Sequence, residues 1–300
     1  MSTVSSLIDF LSIFNCYLTS GTANNLHVLF RGAILTFRER TITACMAAAW
    51  PWVTKHWTVY ENTIRIAKFN SLLLARCLFQ CILSLIPKEL PILFIIDESL
   101  VRRYGPYVSG IGMHRDSVRS SHANLVVTPG NKWVVLAVGI KLPFTTKRYF
   151  ALPVLSLMYT SKKLAKRNKT GRLYHKHRTV GELAMLMLKI VARWAPKRPF
   201  LLVADGAYGT HEIADYLNER SRHLLLRYGV VVTRFRLDGT TFKKAPVIKK
   251  ARVGRKPVKG KKLPSPAEIA QRKKTRWIMA DVDWYGDSKR TIQYISRTGY

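Results

Sequence analysis

Pro91-Ile92-Leu93-Phe94-Ile95-Ile96-Asp97-Glu98 decides how this chain is read. An unbroken apolar run follows a proline and ends in two acids. A run this short and this uniformly apolar suits a strand buried on both faces. A second run of the same kind, Phe200-Leu201-Leu202-Val203-Ala204, ends in Asp205. Between them, residues 133–142 and 149–158 read as strands, with Gly130 and Asn131 forming a turn before the first of these. Gly105, Gly110 and Gly112 make the connection before that turn flexible. Residues 179–194 read as an amphipathic helix with Leu183, Leu186, Met187, Ile190 and Val191 on one side. After Asp205 come a helix over 210–218 and strand at 224–226 and 230–232. The order is strand, strand, strand, helix, strand, helix, strand, which is an α/β fold with a mixed sheet. The first three strands form an antiparallel meander, and the helix then returns the chain for a strand parallel to the first. Asp97 and Asp205 are expected to meet at one carboxyl edge, where ligands collect in open α/β sheets.

Working outward, residues 1–88 read as an all-helical N-terminal domain, with apolar residues at helical spacing through 7–14, 27–37, 41–50 and 70–86. Thr41 is placed to cap one helix, and Pro87 stops the last. Two short helices followed by a third suit either a helix-turn-helix that binds DNA ends or an ordinary packing domain. Trp50, Trp52 and Trp57 cluster there and are expected in its core. Residues 89–300 form the second domain, with a basic insertion around 234–276. Strands resume at 277–282 and 291–296.

Charge narrows the function. Lys and Arg number 50 against 17 Asp and Glu, a formal net charge of +33. Solubility alone asks for about 2–8 charges, so an excess this large expects a polyanion, nucleic acid first. Basic charge by itself also suits a ribosome or a membrane surface. With 48% hydrophobic residues the chain buries a real core and is not a disordered tail. The positive charge concentrates in two stretches. Residues 161–178 include Lys162, Lys163, Lys166 and Arg167; residues 234–276 include Lys243, Lys244, Lys249, Lys250, Arg255 and Lys256. The second also holds Pro246, Pro257, Pro264 and Pro266, and reads as an extended loop that orders on a phosphate backbone. The most apolar run, 72–86, is broken by Arg76 and Gln80 and is too short to span a bilayer. Cys16, Cys45, Cys77 and Cys81 lie in apolar stretches and read as reduced, buried thiols of a cytoplasmic protein; no second pair follows Cys77 and Cys81 to complete a zinc site.

Asp97 and Asp205 carry the chemistry. A carboxylate at a buried strand end needs a cation or donors. Two at one sheet edge suit Mg²⁺ or Mn²⁺, which prefer hard oxygen ligands. Such a pair can serve phosphodiester chemistry. Asp205 stands in Asp205-Gly206-Ala207-Tyr208-Gly209, whose glycines let backbone approach a ligand. Either Asp alone reads as a helix cap or loop anchor; it is the matched pair, in a chain this basic, that reads as a metal site. Arg102 and Arg103 follow Asp97 and either touch the scissile phosphate or serve solubility. His114 and His122 lie in a polar loop, where DNA contact is one reading.

The chain resembles the DDE transposases of bacterial insertion sequences, in the branch described as DDE superfamily endonucleases. The matching residues are Ile95-Ile96-Asp97-Glu98-Ser99 and Leu202-Val203-Ala204-Asp205-Gly206-Ala207-Tyr208-Gly209; the helical region before and 277–296 after are also similar. The resemblance implies a ribonuclease-H-like core, with Asp97 and Asp205 as the first two members of an acidic triad that binds metal. It implies nicking at transposon ends, strand transfer into target DNA, double-stranded DNA partners (terminal repeats and target), a synaptic homodimer, and a cytoplasmic, nucleoid-associated protein. The family's third acid, a Glu on a helix after the last sheet strand, has no counterpart here. Glu268 falls in the basic insertion, and Asp281 and Asp283 fall on a strand. Tyr294 and Arg297 echo the family's Tyr-x-x-Arg spacing, but on a segment that reads as strand. The expectation is a chain truncated at Tyr300 with the Glu beyond it. Two further readings stay open: a catalytically dead DNA-binding repressor, and a related nuclease without strand transfer.

Overall fold

The computed structural model describes residues 3–37, 39–105, 107–121, 123–142, 144, 148–167, 177–223, 231–233, 260–283 and 288–296. The chain divides into two compact units, Met1–Pro87 and Lys88–Tyr300.

The first unit is helical: α1 (Thr3–Ser12), α2 (Ser20–Leu35), α3 (Ile42–Ala48), α4 (Trp57–Arg65) and α5 (Ser71–Leu83). Side-chain oxygens start three of them. Thr19, Thr41 and Asn70 each accept a backbone N–H of the first turn. The Thr19 cap moves the start of α2 well ahead of the expected residue 27. α4 was not expected, since its Trp, Thr, Val and Tyr are weak helix formers. Packing decides it. Tyr60 is buried against Val28, Leu29, Cys45 and Ala49. Thr63, also buried, is bound by Asn25 Nδ2 at 2.8 Å. Gly32 lets α2 approach α3, because a Cβ there would lie 1.9 Å from the Cys45 carbonyl oxygen.

Two expectations fail in this unit. Trp50 and Trp57 are exposed, at 74% and 46%, and Trp52 lies under the Arg31 guanidinium at 5.1 Å instead of inside a core. Their neighbours are single 3-10 turns and helix starts, which turn the large rings outward. Cys45 is buried as expected, but Cys16 is exposed and Cys77 and Cys81 are half-buried; all four are free thiols.

The second unit is built on a six-stranded mixed sheet, a ribonuclease-H-like α/β arrangement. Its strands are β1 (Ile92–Arg102), β2 (Gly112–Arg115), β3 (Val127–Lys141), β4 (Tyr149–Tyr159), β5 (Phe200–Ala204) and β6 (Val231–Thr233). β1, β3 and β4 form the antiparallel meander, and β5 and β6 add parallel to β1. The helices here are α6 (Lys162–Arg167), α7 (Val180–Trp194), α8 (His211–His223) and α9 (Pro266–Gln271). α7 starts at a capping box in which Thr179 and Glu182 satisfy each other's backbone N–H. It packs across β3 and β4. Under it Ile92, Phe94, Ile96, Val134, Leu136, Val138, Leu183, Met187, Leu188 and Leu202 form the core, each at most 5% exposed.

The structure corrects three boundaries. β1 does not end at Ile96 but runs to Arg102, because β3 is long enough to pair with it from Leu93–Gly139 through to Arg102–Gly130. Gly130 and Asn131 are therefore not a turn but lie inside β3. Gly130 fits because a Cβ would meet the Val101 carbonyl at 2.5 Å, and Asn131 is held by its amide donating to Ser109 O at 3.0 Å. Gly112 opens β2 rather than a flexible link. At Leu136–Ala137 the register with β4 shifts beside Pro153, whose missing N–H a regular ladder would not tolerate.

The stretch expected as one extended basic loop is partly regular. Within it, α9 has a Ser265–Glu268 capping box; residues 234–259 lie outside the described part. β7 (Ile278–Asp283) and β8 (Lys289–Tyr294) form a separate antiparallel hairpin. No helix among the described residues is long and apolar enough to cross a membrane.

Candidate active site

The pairing of β1 with β5 places the two expected carboxylates. The parallel register runs from Ile92–Phe200 to Ile96–Ala204, and the next residues on the two chains are Asp97 and Asp205. On β1 alternate residues face opposite sides. Ile92, Phe94 and Ile96 face the buried core, so Asp97 faces the other side and is exposed. Asp97 Oδ1 accepts the backbone N–H of Glu98 at 2.8 Å. Asp205 is the cap of a single 3-10 turn, Gly206–Tyr208, and its Oδ1 accepts Ala207 N–H at 2.8 Å. Each carboxylate thus satisfies one local donor and keeps an oxygen for a ligand. Neither has an ion-pair partner among the described residues.

Tyr208, in the 3-10 turn after Asp205, was not anticipated as a site residue. It is fully buried. Burial, then the charges of Glu98, Asp97 and Asp205, push its phenol well above the ordinary value. One ring thus has all three carboxylates as electrostatic neighbours. Its hydroxyl lies beside Glu98 without a well-formed hydrogen bond. The available signal was its place three residues after Asp205, where a 3-10 turn brings the side chain back under the strand end.

Glu98 behaves differently from its neighbour. It lies on the core-facing side of β1 and forms an ion pair with Lys132 of β3; both side chains are about a quarter exposed, 24% and 27%. Arg102, read as either a phosphate contact or a solubility residue, donates from Nε to Asp116 Oδ2 at 2.7 Å. Asp116 is 2% exposed and also accepts the N–H groups of Val118 and Arg119. The Arg102 guanidinium, helped by those N–H groups and opposed by burial, holds its carboxyl at about 2. Arg103 is exposed beyond the end of β1. Lys162 and Lys163 are exposed on α6; Lys166 and Arg167 share that helix, their side chains outside the described part. Lys243, Lys244, Lys249, Lys250, Arg255, Lys256 and His122 lie outside the described residues.

The acids weighed for a third position sit elsewhere. Glu268 caps α9. Asp281 on β7 accepts the Thr291 hydroxyl across the hairpin at 2.6 Å, and Tyr294 is on β8, a strand as expected. Among the described residues no group of three or more His, Cys, Asp or Glu side chains is arranged to hold a metal ion. The Asp97–Asp205 pair still fits a hard divalent cation in donor chemistry: oxygen ligands, exposed, with no cation already paired to them.

No curated protein sequence matches this chain significantly. Residues 13–291 match the family described as DDE superfamily endonuclease, which supports nuclease chemistry on DNA and, in that family generally, divalent metals. With the match running through both units and both aspartate motifs, the chain belongs to the DDE superfamily endonucleases.

Proposed function

We propose that this chain is a DNA transposase in which Asp97 and Asp205 form two-thirds of the catalytic acid set. The observation that carries the proposal is the β1–β5 register, which ends one residue short of both aspartates. Their free oxygens would hold Mg²⁺ or Mn²⁺. Such an ion supplies charge neutralisation at the phosphate and eases ionisation of the attacking water or hydroxyl. The rigid strands fix the two carboxylates, and the local N–H bonds to Glu98 and Ala207 restrict their rotation. Buried Tyr208 lies within the electrostatic reach of both carboxylates. In the proposed reaction water attacks phosphorus at the transposon end and the 3′-oxygen leaves with a proton. That 3′-hydroxyl then attacks a phosphodiester of target DNA, exchanging one P–O bond for another. The helical unit would bind the terminal repeats, the basic segments would hold phosphates, and two copies would act on paired ends in the nucleoid of a bacterial cell.

The test uses purified protein, Mn²⁺ and a plasmid carrying the element's two ends. Nicking and 3′-end joining are expected, both lost in Asp205→Asn while DNA affinity persists. Nicking without joining would replace the transposase by a nuclease. A second reading, a repressor that binds the ends without cutting, is favoured by the lack of a third acid beside the pair among the described residues. Tight binding with no cleavage in either Mg²⁺ or Mn²⁺ would establish it.

A further inference from the structure

On the face of β1 opposite Asp97, a cleft of about 700 Å³ opens where the sheet extends beyond the start of α7. That volume is within the ~300–1,000 Å³ of pockets that take organic ligands, and far more than a bare phosphate fills. Its floor is the sheet: Glu98, Lys132 and Tyr159, with His114 of β2 beside them. Its wall is the turn into α7, with His177, and the first residues of α6.

Two properties of the lining specify a ligand. First, three flat rings meet. His114 and His177 each stand edge-on to Tyr159, with ring centres 5.9 Å apart in both pairs. His177 is fixed by its Nδ1–H donating to Thr160 O at 2.7 Å. His114 is held toward the neutral form, by burial first and then by Lys132, and its Nε2 is buried without a hydrogen-bond partner among the described residues. A neutral ring is a stacking surface rather than a charge. Second, four cations line the cleft against one carboxylate: Arg115, Lys132, Lys162 and Lys163 against Glu98. Lys132 is already paired to Glu98 and lies over the Tyr159 ring at 5.7 Å. Arg115, Lys162 and Lys163 make no ion pair among the described residues and are exposed. Rings at the floor and unpaired cations at the rim match a base and its phosphate.

We propose that this cleft takes one unpaired nucleotide of a DNA strand, its base against Tyr159, His114 and His177 and its phosphate among Arg115, Lys162 and Lys163. The proposal rests on the DNA-handling reading above and adds a site to it. A base inside a duplex cannot present its face, so the cleft selects strands that are bulged, frayed or flipped; extrusion is least costly where pairing is already lost. Glu98 ties the cleft to the cleavage site, because it is the residue next to Asp97 on the same strand.

The experiment uses the full chain carrying Asp97→Asn and Asp205→Asn, so that nothing is cut and failure of catalysis does not enter. Binding of a fully paired short duplex is compared with the same duplex carrying one bulged 2-aminopurine. The bulged duplex is expected to bind about tenfold tighter, with quenched 2-aminopurine emission from stacking. His177→Ala, at a half-buried position, and the exposed pair Lys162→Ala with Lys163→Ala are expected to erase that preference. His177→Ala leaves the paired duplex bound as before. Deoxyadenosine monophosphate should displace the bulged duplex at concentrations where inorganic phosphate does not. Equal binding of both duplexes, or equal loss for both in the His177 variant, overturns the proposal. So does displacement by phosphate alone, or capture of the free mononucleotide as tightly as the bulged strand. A chain that binds neither duplex overturns the DNA reading as well.

Discussion

Asp97 and Glu98 are neighbours in sequence and opposites in structure. Asp97 stands on the exposed face of β1 with one local hydrogen bond and no cation. Glu98 stands on the core side, paired with Lys132 and lying beside Tyr208. Asp116 repeats the Glu98 pattern more strongly, with a guanidinium and two backbone N–H groups around one buried carboxylate. The comparison separates carboxylates whose charge the protein has already neutralised from those it leaves for a ligand. Lack of an ion pair is common among the acids of the described residues, so what marks Asp97 and Asp205 is their position at the end of the β1–β5 register.

The largest effect should come from the unpaired side. Asp97→Asn and Asp205→Asn are each expected to lower plasmid nicking by about 10³-fold or more, with DNA affinity and melting temperature unchanged. A variant that still nicks would remove its carboxylate from the site. Glu98→Ala should act through the fold. It strands Lys132 in a half-buried place, and a loss of about 2 kcal/mol is expected in denaturant titration, between the values for exposed and buried pairs. If Glu98→Ala abolishes nicking while stability stays intact, the division between the two faces fails.

A pH experiment sharpens the same contrast. The depressed Asp116 carboxyl contributes stability that is present above the ordinary value of ~3.9 and is lost as pH falls through about 2. Acid unfolding of the wild type should show this loss across that window, and Asp116→Asn should lack it while being less stable at neutral pH. An unchanged acid profile would show that the Arg102–Asp116 pair persists in the unfolded chain. The smallest effect is expected for Tyr208→Phe. Removing a buried hydroxyl that lacks a well-formed hydrogen bond should change stability by no more than about 1 kcal/mol, in either direction. A larger loss would mean that the phenol bonds Glu98 firmly and belongs to the neutralised set.

The sheet order was legible because each strand carries its own signal. The apolar runs 92–96 and 200–204 flank a meander and an amphipathic helix, and handedness rules then leave one arrangement. The aspartates were legible for the same reason, since each ends such a run. The extension of β1 to Arg102 was not legible. Residues 97–102 alternate without a strong apolar pattern, and only the length of β3 draws them into the sheet. α4 and the outward-facing Trp50 and Trp57 were misjudged because local propensity and aromatic character were outweighed by what Tyr60 and Thr63 could pack against.

The amino-acid sequence by itself determined the class of fold, the basic charge that demands a polyanion, and the two residues that follow the apolar runs 92–96 and 200–204. Those properties are local or additive along the chain. Tertiary structure alone decided which carboxylates are neutralised, that Arg102 serves Asp116, that Tyr208 lies near the carboxylates, and that His114, Tyr159 and His177 gather in one cleft. Side-chain pairing depends on strand register and on which face each residue occupies, and a one-residue difference in position, as between Asp97 and Glu98, reverses it.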